Sequence, residues 1–129
     1  MQKQIKSSAD GPARKSEWAL EELMERLDGD QGFLRELLVM FREDVRMSLE
    51  KSRAAIGISD YEQLTRTAHT MKGMLRNLSM GAAADTAAAL ETASRENRGS
   101  ESKVLLEKLE KELKGILPEV EAQLAGVKS

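Results

Sequence analysis

Apolar residues recur at intervals of three and four along most of this chain, a period that admits amphipathic helices and little else. The longest run is Phe33, Leu34, Leu37, Leu38, Phe41, Val45 and Leu49, a wide stripe on one helix face. Arg35, Glu36, Arg42, Glu43, Arg46 and Glu50 fall mostly on the opposite side. Aromatic residues make up 3% of the chain and charged residues 33%, which suits helices with solvated outer faces and disfavours a β-sandwich or barrel. At 129 residues the chain is long enough for one domain with a modest core.

Residues 1–15 are polar, mildly basic and aperiodic, and read as a disordered linker or tail ahead of a helical domain over 16–127. Ser16 is placed to cap a short first helix with the stripe Leu20, Leu23, Met24 and Leu27, and Gly29 to end it in the left-handed region. Trp18 is expected to pack under that helix's first turn. Asp30 can cap the long second helix, whose end is marked by Gly57 and Ser59, and whose two phenylalanines are expected to supply much of the core. Ser59-Asp60-Tyr61-Glu62 reads as a capping box opening a third helix with the stripe Tyr61, Leu64, Ala68, Met71, Leu75 and Leu78.

The alanine-rich stretch from Ala82 to Glu91 predicts a fourth helix whose thin face lets it approach the third closely, near the lower end of the usual ~8–10 Å. A last helix, capped by Ser100 or Ser102, carries Leu106, Leu109, Leu113, Ile116, Val120 and Leu124, with a kink or break expected at Pro118. Short connections make sequential helices antiparallel neighbours. The expected fold is therefore all-α, an up-and-down antiparallel four-helix bundle with an additional short N-terminal helix.

Composition also removes function classes. There are no cysteines, so disulfides, thiol catalysis and cysteine-based zinc sites are excluded. No apolar run approaches the ~20 residues of a membrane span, and the N-terminus lacks an apolar signal core, so a soluble, cytoplasmic protein without membrane contact is expected. A net charge of −2 gives no electrostatic case for nucleic acid.

What remains is the single histidine, His69. On a helical wheel the core stripe of its helix centres roughly 130° away, which places His69 on the exposed flank of the bundle. Lys72 lies about 60° to one side of it, Gly73 about 40° to the other, and Arg76 about 20° away. With no second histidine and no cysteine, a metal site there is not expected. The adjacent residue is Thr70, not an orienting carboxylate, and the chain offers the imidazole no evident catalytic partner. Gly73 sits mid-helix, where glycine costs about 0.5–1 kcal/mol against alanine, and one reason to keep it is to avoid crowding the ring. Lys72 and Arg76 stand where an anion on the imidazole would lie, and they disfavour imidazolium. These neighbours suit a phosphoryl acceptor. The competing reading is a solvated helix face with an incidental histidine.

Ala68-His69-Thr70-Met71-Lys72-Gly73, followed by Asn77-Leu78, resembles the signature of histidine-containing phosphotransfer (HPt) domains. Gly29-Asp30 with Phe33 to Leu38 and Phe41 resembles that family's second helix, and Leu90-Glu91 with Ala93 to Glu96 its fourth. The resemblance spans roughly Leu20 to Leu124. It implies a phosphorelay intermediate in which His69 accepts a phosphoryl group from a receiver-domain aspartate and passes it to another receiver. Lys72 would steady that group and Gly73 would clear space for it. No cofactor is implied for this chain, the magnesium belonging to the receiver. The chain departs from the family pattern at Met74, Leu75 and Arg76 after the glycine, at Ser79 and Met80, and at Ala84. Leu75 falls on the core stripe and can fill the space left by thin alanines, while Met74 falls between core and histidine face. Thr65, Arg66, Met74 and Asn77 are the residues expected to dock a receiver.

The implied partners are response-regulator receiver domains, and a sensor histidine kinase in cis or in trans. A bundle that closes by itself is expected to be a monomer. Without a glycine-rich nucleotide site, the chain reads as a phosphocarrier, not an enzyme, either free-standing or part of a hybrid histidine kinase. Two alternatives stand beside this: the phospho-acceptor domain of a chemotaxis-type kinase, and a helical protein-interaction module. The dimerising histidine-kinase helix fits less well, because Thr70 and Met71 match neither its acidic residue nor its proline.

Overall fold

The computed structural model describes residues 18–126, so the expectations for residues 1–15, for capping by Ser16 and for the boundary at 127 lie outside it. Five helices are described: α1 (Leu20–Arg26), α2 (Gln31–Gly57), α3 (Tyr61–Asn77), α4 (Gly81–Arg95) and α5 (Gly99–Gly126). The described residues contain no strand, and none of these helices is long and apolar enough to cross a membrane. α2 packs on α3 and α5, and α4 packs on the same two, so the four long helices close a ring around one core. The all-α bundle read from the periodicity is the fold observed.

The same turn closes each of α1 to α4. After each of α1 to α4, one residue takes a left-handed conformation: Asp28, Ser59, Ser79 and Asn97, with φ of 55°, 58°, 61° and 58°. The next residue's N–H then reaches back five residues: Gly29 to Met24 O, Asp60 to Ala55 O, Met80 to Leu75 O and Arg98 to Ala93 O, at 2.8–2.9 Å. This is the Schellman closure, which satisfies carbonyls that a helix end would otherwise leave bare.

The repeated turn corrects several expectations. Asp28, not Gly29, is the first left-handed residue after α1, although Gly29 follows it at φ 73°. Ser59 belongs to the turn, so the cap of α3 is Asp60, whose carboxylate accepts the Gln63 N–H at 3.1 Å. The expected cap of α2 is as read, with Asp30 accepting from Phe33 N–H at 3.0 Å. Ser100 and Ser102 do not precede α5 but lie within its first turn, because the helix already starts at Gly99. A Cβ at Gly99 would collide with the Tyr61 hydroxyl, so this glycine lets the start of α3 lie against the start of α5. Pro118 does not break α5, which runs through it. Both Pro118 and Lys114, whose carbonyl loses its helical partner, are on the exposed side, where water can replace the missing bond.

The core contains Leu34, Leu38, Phe41, Val45 and Leu49 from α2, and Leu64, Ala68, Met71 and Leu75 from α3. α4 contributes Ala83, Ala84, Ala87 and Leu90, and α5 the stripe from Leu106 to Leu124. Phe33 departs from expectation: it is 46% exposed, because it lies at the outer margin of the α2 stripe. Leu75 and Met80, which depart from the family pattern, are fully buried.

α1 is tied to the α3–α4 turn. Trp18 is buried and its indole N–H donates to Leu78 O at 2.8 Å. Ala19 N–H donates to Ser79 O at 2.9 Å, and Arg26 donates to Asn77 O at 2.9 Å and Ser79 Oγ at 2.6 Å. Trp18→Ala should therefore cost about 3–5 kcal/mol in urea denaturation followed by circular dichroism. Trp18→Phe, which keeps most of the ring and orphans the Leu78 carbonyl, should cost about 1–3 kcal/mol.

Candidate functional site

Between the buried Ala68 and Met71, α3 turns His69 and Thr70 outward, and the His69 side chain is 67% exposed. Across the seam, Ala83, Ala84 and Ala87 are completely buried and bring α4 close to α3. Continuing along the line of Ala84 and Ala87 at helical spacing leads to Glu91, next to the buried Leu90. A carboxylate thus stands in a core register, with only 9% of its side chain exposed.

Three nitrogen-bearing side chains, the imidazole and two cations, meet it there. His69 Nδ1 lies 3.0 Å from Glu91 Oε2, Lys72 Nζ 2.8 Å from Oε1, and an Arg95 guanidinium nitrogen 2.9 Å from Oε2. Burial pushes the Glu91 carboxyl up, but the hydrogen bonds and charges of Lys72 and His69 overcome that and hold it below the usual carboxylate range. An ionised carboxylate only accepts hydrogen bonds, so it assigns the proton of a neutral imidazole to Nδ1. Nε2 keeps its lone pair, on the exposed ring.

The expectation that the imidazole lacks an orienting partner is therefore corrected: Glu91 supplies one from the next helix. Reading α3 alone could not show it, since the partner is 22 residues away in sequence. The available signal was a carboxylate in step with Ala84 and Ala87.

The other residues singled out in the sequence fall in distinct places. Lys72 is half-buried and belongs to the Glu91 cluster. Gly73 is exposed, and a Cβ there would meet nothing within 4 Å, so crowding of the ring by this chain is not what the glycine avoids. Arg76 stands two turns from His69, about 10.5 Å along the axis. It lines a cleft toward α1 with Glu22, Arg26 and Ser79. Thr65 is half-buried, its hydroxyl donating to Tyr61 O at 2.7 Å and lying 2.9 Å from Ser94 Oγ. Arg66 is exposed beside Gln63 and Glu62, and with Thr65 and Arg95 it borders a shallow cleft between α3 and α4. Met74 and Asn77 border a different, apolar groove, against Leu37, Met40 and Phe41 of α2. The expected docking residues thus divide between the α4 and α2 sides of α3. Among the described residues, no cluster of three or more His, Cys, Asp or Glu side chains could hold a metal ion.

Because Glu91 titrates lower in the folded state than in the unfolded one, its stabilising contribution is complete above the ordinary value of about 4.5 and is lost as pH falls through its lower folded value. The Tm difference between wild type and Glu91→Gln should therefore be largest near neutral pH and shrink below about pH 4.5.

No curated protein and no solved structure matches the chain significantly. The family model described as "Hpt domain" matches residues 36–123, which hold most of α2, all of α3 and α4 and most of α5, with His69, Lys72 and Glu91 among them. That match covers well over half of the chain, which belongs to the Hpt domain family.

Proposed function

We propose that this chain is a phosphorelay intermediate in which His69 Nε2 takes a phosphoryl group from a receiver-domain aspartate and hands it to a second receiver. Family membership supports histidine phosphotransfer in general. The observation that carries the specific reading is the hydrogen bond from His69 Nδ1 to the buried Glu91, which leaves Nε2 as the free, outward nucleophile.

The atoms and charges balance without a base. The Nε2 lone pair attacks phosphorus, and the Nε2–P bond forms as the P–O bond to the donor aspartate breaks. The aspartate leaves as a carboxylate with the bonding electron pair. The proton stays on Nδ1, so the ring gains a positive charge that faces Glu91. Reversal toward a second aspartate returns the neutral ring. Lys72, which shares the Glu91 carboxylate with the ring, is placed to steady the phosphoryl oxygens. Gly73 leaves surface open beside the histidine, which an incoming receiver can occupy. The apolar groove at Met74 and the polar cleft at Arg66 give that partner two unlike footholds, and Arg76 and Asn77 extend the surface along α3.

A phosphorylated cognate receiver should label the wild-type protein with an acid-labile, base-stable phosphate, and His69→Gln should take none. Equal labelling of His69→Gln would contradict the proposal. Lys72→Ala should slow transfer while keeping the helical circular dichroism. Gly73→Ala should separate stability from function: with room for its Cβ, it should gain about 0.5–1 kcal/mol in denaturation yet transfer more slowly.

A further inference from the structure

Glu91 divides its contacts unevenly. Among the described residues, Oε1 takes Lys72, whereas Oε2 takes both His69 Nδ1 and Arg95. Arg95 comes from the same helix as Glu91, one turn on. Lysine and arginine therefore hold different oxygens, and Lys72 can leave without disturbing the one that faces the imidazole.

Phosphorylation gives Lys72 a reason to leave. A phosphoryl group on Nε2 carries close to two negative charges and three acceptor oxygens. Lys72 is about 60° round the helix from His69, with three N–H donors on a flexible stem. At that moment the ring has become cationic and depends more on the Glu91 carboxylate. Once Lys72 turns away, Arg95 is the one remaining cation, apart from the ring itself, among those that the described residues place within 4 Å of Glu91.

We propose that Arg95 is a positioning residue for phosphoryl transfer: it keeps the Glu91 carboxylate under the His69 Nδ1–H while Lys72 engages the phosphoryl group. The role rests on the phosphocarrier reading of His69. No bond changes at Arg95; the Nε2–P bond forms and the receiver's P–O bond breaks as above, with the proton retained on Nδ1.

Lys72→Ala reproduces the state in which the lysine has left, and long-range 1H–15N NMR reads the His69 tautomer in it without any phosphorylation. Lys72→Ala should keep the Nδ1–H tautomer, and Lys72→Ala with Arg95→Ala should populate Nε2–H. Lys72→Ala with Arg95→Lys should restore Nδ1–H. An unchanged Nδ1–H tautomer in the protein with both alanines would overturn the proposal. In transfer from a phosphorylated receiver, Arg95→Ala alone should lower the maximal rate about fivefold, the scale of an ion pair with one exposed partner. Because Arg95 also borders the cleft at Arg66, the readout is the rate at saturating receiver, which Arg95→Lys should recover. A change confined to half-saturation would mean that Arg95 touches the partner, and would also overturn it. A wild-type chain that takes no label would remove the phosphocarrier reading and this role together; the tautomer measurement tells that failure from failure of the tie between Arg95 and Glu91.

Discussion

Ala83, Ala84 and Ala87 present α3 with almost no side-chain thickness, and the seam between α3 and α4 follows from that. Helices held apart by leucines would leave a glutamate side chain short of an imidazole on the flank of its neighbour. Here the carboxylate of Glu91 reaches both His69 and Lys72, at 3.0 and 2.8 Å. The large residues Leu75 and Met80 are fully buried toward the other end of the same helix pair. Backbone spacing, set by the smallest side chains in the core, thus governs the chemistry at the surface.

Placing a carboxylate in a core register would ordinarily be costly, because burial disfavours its charge. The cost is offset by the Lys72 ammonium and the His69 imidazole from α3 and by Arg95 from α4. The same arrangement orients the histidine. A carboxylate that stays ionised holds the proton on one ring nitrogen and leaves the other with a lone pair facing outward. Keeping the buried carboxylate ionised and orienting the imidazole are here one electrostatic arrangement.

Much of this was legible in the sequence, because one helix reports its own faces. The stripe from Leu64 to Leu78 put His69 outward, the run from Leu34 to Leu49 placed α2 in the core, and Asp30 marked a cap. What a single helix cannot report is its neighbour. Glu91 escaped attention because its partners lie on α3, and a wheel drawn for one helix shows no contact across a seam. Phe33 misled because a wide stripe does not show which margin a neighbour covers. Ser59 and Ser102 misled for a related reason: a serine before or within a first turn can cap, but which residue does so depends on where the preceding Schellman turn closes. That closure is a backbone event with little side-chain signature, except at Asn97 and Asp28, types that tolerate the left-handed region.

The central claim is that Glu91 selects the reacting nitrogen of His69. Uniformly 15N-labelled protein, phosphorylated by a receiver and examined by 31P- and 1H-detected 15N NMR, tests it most directly. Phosphorus should be bonded to Nε2 with the proton still on Nδ1 beside the carboxylate. Phosphorus on Nδ1 would contradict it, since that nitrogen would have to give up Glu91 to react.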